Sequence, residues 1–315
     1  MKHKLSITLT LLGMFLITQF IGIYVVNAYT PIQELIIDPS TGEKTIFLQE
    51  NKIPFSSQKG EEPISITEII LAFALAFLII FALMKYKLKF VIRTWFFFVV
   101  FFGLTITIYA VLKNYPIPAE YIAIAISIPL AYFKIFKPHI LIHNLTELMV
   151  YPGIAAVFVS ILTVKAILVI LVLLSIYDMW AVCKSGIMQK MAKFQMEELR
   201  IFGGFLIPSA SKRVKAQIKK IKLKYKNKKM PKKIENKKFK INIAILGGGD
   251  VVFPIITAGV FMRAYDLTSA LFIIFGALAG LTWLFIITKK GKAYPAMPYI
   301  TAGIFAGLIL WKIFF

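Results

Sequence analysis

The chain has 315 residues, of which 59% are hydrophobic and only 17% charged, with a mean hydropathy of +0.78. A water-soluble globule is excluded at that composition. There are 37 Lys and Arg against 15 Asp and Glu, a formal charge of +22, and most of the excess is local: Ser211 to Lys240 holds fifteen basic residues and one acid, Glu235, which supplies +14. The single cysteine, Cys183, can make no internal disulfide, and no Cys/His cluster offers a metal site, so neither a metal nor another cofactor is expected.

A bilayer core of about 30 Å takes ~20 apolar residues per helix. By that length the sequence predicts an all-α polytopic membrane protein of nine spans, at about 5–29, 67–84, 91–112, 119–133, 140–163, 165–182, 241–262, 266–288 and 294–315. The first has features of a signal peptide, since Lys2 and Lys4 precede an apolar run ending in Val26-Asn27-Ala28. Its apolar run exceeds the ~7–15 residues of such a segment, so a retained helix is expected. The chain then divides into spans 1–6 over residues 1–183, a basic connecting loop over 184–240 and spans 7–9 over 241–315, all one membrane domain. Ile187, Met191 and Phe194 recur at helical spacing and suggest an interfacial amphipathic helix at the start of that loop.

Basic residues in the short loops set orientation. Lys2 and Lys4 precede span 1; Lys85, Lys87, Lys89 and Arg93 separate spans 2 and 3; Lys134 and Lys137 separate 4 and 5; Lys289, Lys290 and Lys292 separate 8 and 9. With the 211–240 block these regions fall on one side. The intervening 30–66 loop instead mixes Glu34, Asp38, Glu43, Glu50, Glu61 and Glu62 with three lysines. An odd number of spans in a cell membrane places the N-terminus in the cytoplasm and the C-terminus outside. The basic block reads as a topology determinant that also touches anionic lipid. No nucleic-acid partner is expected, because no stacking platform or nucleic-acid motif accompanies it.

An ionisable carboxyl at mid-bilayer costs roughly 2.5–3.5 kcal/mol on insertion scales. Three acids fall inside spans: Glu147 in span 5, Asp178 in span 6 and Asp250 in span 7, whereas Glu68, Glu120 and Asp266 fall at span ends. Span 6 runs inward from Lys165, which places Asp178 ~10 Å from the inner edge; span 7 runs outward from Lys240, which places Asp250 ~15 Å from it. The difference is about one helical turn, so the two carboxyls can share a site. Two carboxyls in low dielectric cannot both ionise; one keeps a proton while the other acts as a base. That is the arrangement by which an aspartic protease activates water against a peptide carbonyl, with no metal and no covalent intermediate. Gly247, Gly248 and Gly249 ahead of Asp250 allow close backbone approach beside a cavity. The residues alone leave three readings open: a protease, a proton- or cation-coupled transporter using the same acids, and a structural pair of hydrogen-bonded acids.

Three motifs in order resemble the presenilin and signal peptide peptidase family of intramembrane aspartyl proteases. Tyr177-Asp178 is similar to the family's YD in the sixth span, Gly247-Gly248-Gly249-Asp250 to its G-x-G-D in the seventh, and Pro295-Ala296-Met297 to its P-A-L at the ninth. Met297 departs from the pattern by a near volume-conserving apolar change. Val251-Val252-Phe253-Pro254 looks closer to the peptidase branch. The resemblance covers spans 6 to 9; spans 1 to 5 match in count. It implies a presenilin-like fold and an endopeptidase that cuts transmembrane helices, with Asp178 and Asp250 as the dyad. Tyr177, Gly247, Gly248, Gly249, Pro295, Ala296 and Met297 would then shape the site. The orientation expected from charge is that of the presenilin branch, which implies substrates with the N-terminus outside. The excess of Lys over Arg and the richness in Ile are compatible with an archaeal or thermophilic source.

Weaker features complete the reading. His143 and Glu147, four residues apart, are expected to satisfy each other or a neighbouring span, since two ligands do not make a metal site. Gly276 with Gly280 and Gly303 with Gly307 are G-x-x-x-G pairs suited to close helix packing, with a self-association face as the alternative. Gly203, Gly204 and Pro208 suggest a mobile gate in the 6–7 connection. Tyr177 and Trp180 are expected near the Asp178 pocket.

Overall fold

The computed structural model describes residues 5–30, 32–37, 44–49, 88–185, 202–209, 242–288 and 294–315, with positions 67, 68, 71, 72, 75, 78, 79 and 86. Helix α1 spans Leu5–Tyr29 and is followed by an antiparallel pair, β1 (Ile32–Ile37) and β2 (Lys44–Gln49). Helices α2 (Lys89–Leu112), α3 (Ala119–Phe136), α4 (Ile140–Ile161) and α5 (Val164–Trp180) come next, the last running into a π-turn at Ala181–Ser185. A second antiparallel pair joins β3 (Gly204–Ser209) to β4 (Asn242–Gly247), and β4 leads directly into α6 (Gly248–Ala264). Helices α7 (Leu267–Ile287) and α8 (Met297–Phe314) complete the chain.

Seven helices among the described residues are long and apolar enough to cross a bilayer, so the protein is an integral membrane protein. Eight of the nine expected spans have a helix close to their predicted position. Of the second, 67–84, seven positions are described, all of them helical, and the rest lie outside the described residues, as do Ile187, Met191, Phe194 and the whole 211–240 block. Two boundaries need correction. The seventh span is not helical from residue 241: residues 242–247 form β4, and the helix begins at Gly248. Strand β3 likewise interrupts the stretch expected to be a connecting loop. The first follows from composition, because the apolar stretch 243–246 ahead of Gly247 fits a buried strand as well as a helical turn.

Helix α6 sits among α1, α4, α5 and α7, while α2 packs against α3 and α4, and α8 against α7 and α5. Small residues set the close crossings. A Cβ on Gly153 would lie 2.0 Å from the Gly103 carbonyl oxygen where α4 meets α2. Between α7 and α8, Gly276 and Gly280 face Gly303 and Gly307 so tightly that a Cβ on Gly276 would reach the Gly303 oxygen at 2.2 Å. The two G-x-x-x-G pairs therefore serve packing inside this chain. Ser and Thr hydroxyls spend their donors on carbonyls of the preceding turn, as Thr18 does to Met14 (2.6 Å) and Thr257 to Phe253 (2.8 Å), which suits a medium without water. Thr163 caps α5 through the Ala166 amide (3.3 Å), and Asp266 caps α7 through the Ser269 amide (2.8 Å).

Candidate active site

Asp178 lies two residues before the end of α5 and Asp250 is the third residue of α6, so both carboxyls occur at the same end of the helix bundle. This corrects the helix position expected for Asp250, which lies in the first turn of its helix rather than ten residues along it. The two lie within Coulombic reach of each other. Asp178 is buried at 6% exposure and Asp250 is half-buried.

Each carboxyl is held by a helix N-terminus. Asp250 follows the N-cap residue Gly247 by three positions and accepts from the Gly247 amide, the back-reaching half of a capping box. Asp178 belongs to α5 yet accepts from the amides that open α8: Met297 N–H donates to its Oδ2 at 3.0 Å, and Ala296 N–H also bonds to it. Free N–H groups and the helix dipole both favour negative charge at these points. The Pro295-Ala296-Met297 segment therefore meets Asp178 through its main chain. The Met297 side chain is not what binds the acid, which explains how methionine serves where leucine is usual. A hydrogen bond between the Ser175 and Thr301 hydroxyls (2.8 Å), one turn from Asp178, ties α5 to α8.

The strand pair flanks Asp250. Gly248 N–H donates to Gly203 O at 3.1 Å, continuing the β3–β4 register by one pair. Antiparallel pairs alternate in bonding, so Phe205 pairs with Leu246 and Ile207 with Ala244 through main-chain bonds. Gly204, Leu206 and Pro208 then turn their main-chain groups outward from β3, and Ile243, Ile245 and Gly247 turn theirs outward from β4. Gly204 has φ +147°, and a Cβ there would lie 2.3 Å from the Leu246 oxygen, so only glycine fits. A cavity of about 120 Å³ lies along β4, lined by Ile245, Leu246 and Asp250, by Leu284, Phe285 and Thr288 of α7, and by Tyr294 and Ala296.

Of the residues expected at the site, Asp178, Asp250, Gly247, Ala296 and Met297 come together. Gly248 packs under Tyr151, whose hydroxyl would lie 2.8 Å from a Cβ there, and Gly249 is exposed. Pro295 is half-buried just ahead of Ala296. Tyr177 is 39% exposed and stacks at a tilt on Trp180 at 6.3 Å. Glu147 does not join the aspartates. It pairs with Lys134 at 2.9 Å, and Lys134 is a buried residue of α3 rather than the loop residue expected from its charge. Among the described residues, no three His, Cys, Asp or Glu side chains gather closely enough to hold a metal ion.

Several residues of the site were not anticipated. Gln19 of α1, fully buried, donates to the Val251 carbonyl at 3.0 Å and braces the helix that carries Asp250. Tyr151 of α4 is buried against Phe205, with ring centroids 5.8 Å apart, and its hydroxyl lies beside Glu147 and Gly248 without a hydrogen bond of ordinary geometry. A survey restricted to ionisable groups passes over Gln19, although an amide in a membrane span is itself a signal. Nothing in the local sequence marks Leu284, Phe285 or Thr288.

A helical membrane protein with two aspartates held at the N-termini of two helices beside a short strand defines the class. Comparison with known proteins supplies the family. The family model described as "Signal-peptide peptidase, presenilin aspartyl protease" matches residues 47–315, and the chain belongs to that family. Two solved structures of a presenilin family intramembrane aspartate protease, in C222 and P2 space groups, share the fold. They match with TM-scores of 0.60 and 0.55 at 17% and 18% identity, covering 98% of this chain and 99% and 98% of theirs. No curated protein matches. The protein is accordingly an aspartic-type intramembrane-cleaving endopeptidase, a hydrolase with a presenilin-like fold.

Proposed function

We propose that Asp178 and Asp250 are the catalytic dyad and hydrolyse peptide bonds within transmembrane helices of membrane-protein substrates. The observation that carries this is the meeting of two carboxyls from α5 and α6 at one end of the bundle, each held by main-chain amides, beside an apolar cavity. Water between them loses a proton to the ionised carboxylate as it attacks the scissile carbonyl. The neutral partner donates its proton to the carbonyl oxygen, and the shared proton is redistributed as the amine leaves. The N-termini of α6 and α8 stabilise the single negative charge throughout.

A helical substrate hides its carbonyls in its own hydrogen bonds, so it must unwind locally. The outward edge of β4, with Ile245 on the cavity, offers main-chain partners to an extended segment, the mode by which a peptide adds a strand to a sheet edge. The cavity beside it accepts an apolar side chain. Substrates enter with their N-terminus outside, in keeping with a cytoplasmic N-terminus and an external C-terminus for this chain in the cell membrane. The 211–240 block lies on the cytoplasmic leaflet against anionic lipid.

The test replaces Asp178 and Asp250 singly by Asn and follows cleavage of transmembrane substrates of both orientations in liposomes. Each variant is expected to lose at least about 10²-fold in rate while keeping its thermal unfolding midpoint. A folded variant that cleaves at the wild-type rate refutes the dyad. Preference for N-inside substrates refutes the orientation. Ion-dependent uptake lost in the same variants, with no cleaved product, would assign the acids to transport.

A further inference from the structure

The polar face of α4 has no part in the dyad or the cavity, yet it is built to a pattern. His143, Asn144 and Glu147 lie within one turn and all reach β3. The Asn144 side chain is a primary amide, the same chemistry as a peptide group. Its Nδ2 donates to Leu206 O at 2.8 Å and its Oδ1 accepts from Leu206 N–H at 3.0 Å. One turn along, two side chains do the same for Gly204: Nε2 of His143 lies 2.8 Å from Gly204 O, and Oε1 of Glu147 accepts from Gly204 N–H at 3.3 Å. A carbonyl can only accept, so Nε2 carries the proton in this contact.

Gly204 and Leu206 are the residues whose main-chain groups turn away from β4. The third outward position is Pro208, which has no N–H to satisfy. Every outward donor of β3 therefore already has a partner, and α4 supplies all of them. The spacing allows this, since one helical turn rises ~5.4 Å and two strand residues ~6.6 Å. Lys134 of α3 stands 2.9 Å from the same Glu147 oxygen that receives Gly204, so the acid is charge-balanced while it holds the strand. His143, Glu147 and Lys134 are all buried.

We propose that His143, Asn144 and Glu147 act as a substitute strand: they close the outer edge of β3, hold the β3–β4 pair formed before substrate arrives, and so leave β4 as the edge that receives an unwound segment. They are positioning residues, two strands removed from the chemistry. Phe205, Ala244 and Leu246 anchor one face of the pair in the core, but two strands alone are marginal in stability, so without this clamp part of the cost of ordering them falls on substrate binding. The inference rests on the reading of β4 as the substrate-binding edge, and it assigns α4 a place in substrate affinity rather than in the bond-breaking step.

The experiment uses the full-length protein in detergent with two variants. Asn144→Ala removes both bonds from the helix side. Leu206→Pro removes the outward N–H from the strand side while leaving every β3–β4 bond intact. Amide exchange in the absence of substrate is expected to quicken by at least about tenfold over residues 205–207 in Asn144→Ala. KM for a transmembrane substrate is expected to rise about three- to tenfold, the worth of one or two hydrogen bonds, with kcat held, in both variants. Unchanged exchange, or a fall in kcat with KM unchanged, overturns the proposal. If the wild type cleaves no substrate, it is the protease reading that fails, and the exchange measurement still decides whether the clamp exists.

Discussion

The three glycines before Asp250 look equivalent in the sequence, but their surroundings predict different outcomes for Gly248→Ala and Gly249→Ala. A methyl on Gly248 would meet three atoms of Tyr151 at 2.8, 3.1 and 3.1 Å. Tyr151 cannot yield easily, because it is buried and its ring packs edge-on against Phe205. Overpacking of that kind costs about 1–3 kcal/mol, against a gain of up to ~1 kcal/mol from replacing glycine in a helix. Gly248→Ala should therefore range from neutral to about 3 kcal/mol destabilising. A methyl on Gly249 meets only the Phe253 ring, at 3.9 and 4.0 Å, which is ordinary contact. Gly249→Ala should keep or gain stability, by up to ~1 kcal/mol. Gly249 is exposed next to Asp250, so its methyl stands where an extended substrate would approach, and cleavage should fall at least about tenfold. Thermal unfolding in detergent, paired with cleavage of a transmembrane substrate, reads both quantities. If Gly249→Ala cleaves as fast as wild type, the substrate does not pass over Gly249. If Gly248→Ala unfolds no earlier than Gly249→Ala, the packing of Tyr151 on α6 is wrong.

Other perturbations isolate single contacts. Removing either Lys134 or Glu147 should cost about 3–5 kcal/mol by stranding the buried partner, whereas Lys134→Met with Glu147→Leu should cost less than the two single changes summed; additive unfolding midpoints would show that the pair is not coupled. Tyr151→Phe keeps the ring and removes a hydroxyl that has no well-formed hydrogen bond, so its melting temperature should match or exceed wild type, and a clear fall would reveal a partner. Thr301→Val should cost about 1 kcal/mol by breaking the bond to Ser175 and should slow cleavage through the Asp178–Met297 contact; unchanged turnover would show that α8 needs no such tie. Asp266, exposed outside the spans, is held below the ordinary carboxylate range by hydrogen bonds from the Thr268 hydroxyl and the Ser269 amide. A depressed folded value stabilises above the unfolded pKa of ~3.9 and is lost as pH falls through the folded one, so the gap in melting temperature between wild type and Asp266→Ala should be constant above pH ~5 and close below pH ~4.

Much of the fold is legible in the sequence because hydropathy in a membrane protein acts over whole spans. Helices α1, α2, α3, α4, α5, α7 and α8 begin and end within a few residues of the expected limits. The miss at 242–247 has a definite cause: Asn-Ile-Ala-Ile-Leu-Gly is apolar enough to extend a span, and only its pairing with Gly204–Ser209, some forty residues upstream, makes it a strand. The same long-range pairing moves Asp250 to a helix N-terminus, which no local pattern could show. Charge misled at Lys134, where a residue counted as marking a loop is buried against Glu147. The motifs around Asp178, Asp250 and Met297 mark residues that the fold brings together, since glycine and proline mark backbone that approaches closely. Gln19, Asn144 and Tyr151 stayed unnoticed because each acts on main chain or ring faces supplied by a helix or strand far away in the chain.

Helix α6 has a bearing on how the protein is made. Its 17 residues rise ~26 Å, less than a bilayer core. It carries Asp250 in its first turn and Arg263 in its last, where the guanidinium donates to Val159 O of α4 at 3.0 Å. Such a segment is a poor candidate for unaided partition from the translocon into lipid. Its polar ends are satisfied by α4 and by the strand pair, and its flanks by α1, α5 and α7. Biogenesis must therefore hold α6 near earlier helices until α7 emerges, so that membrane insertion and assembly of the active centre are one event.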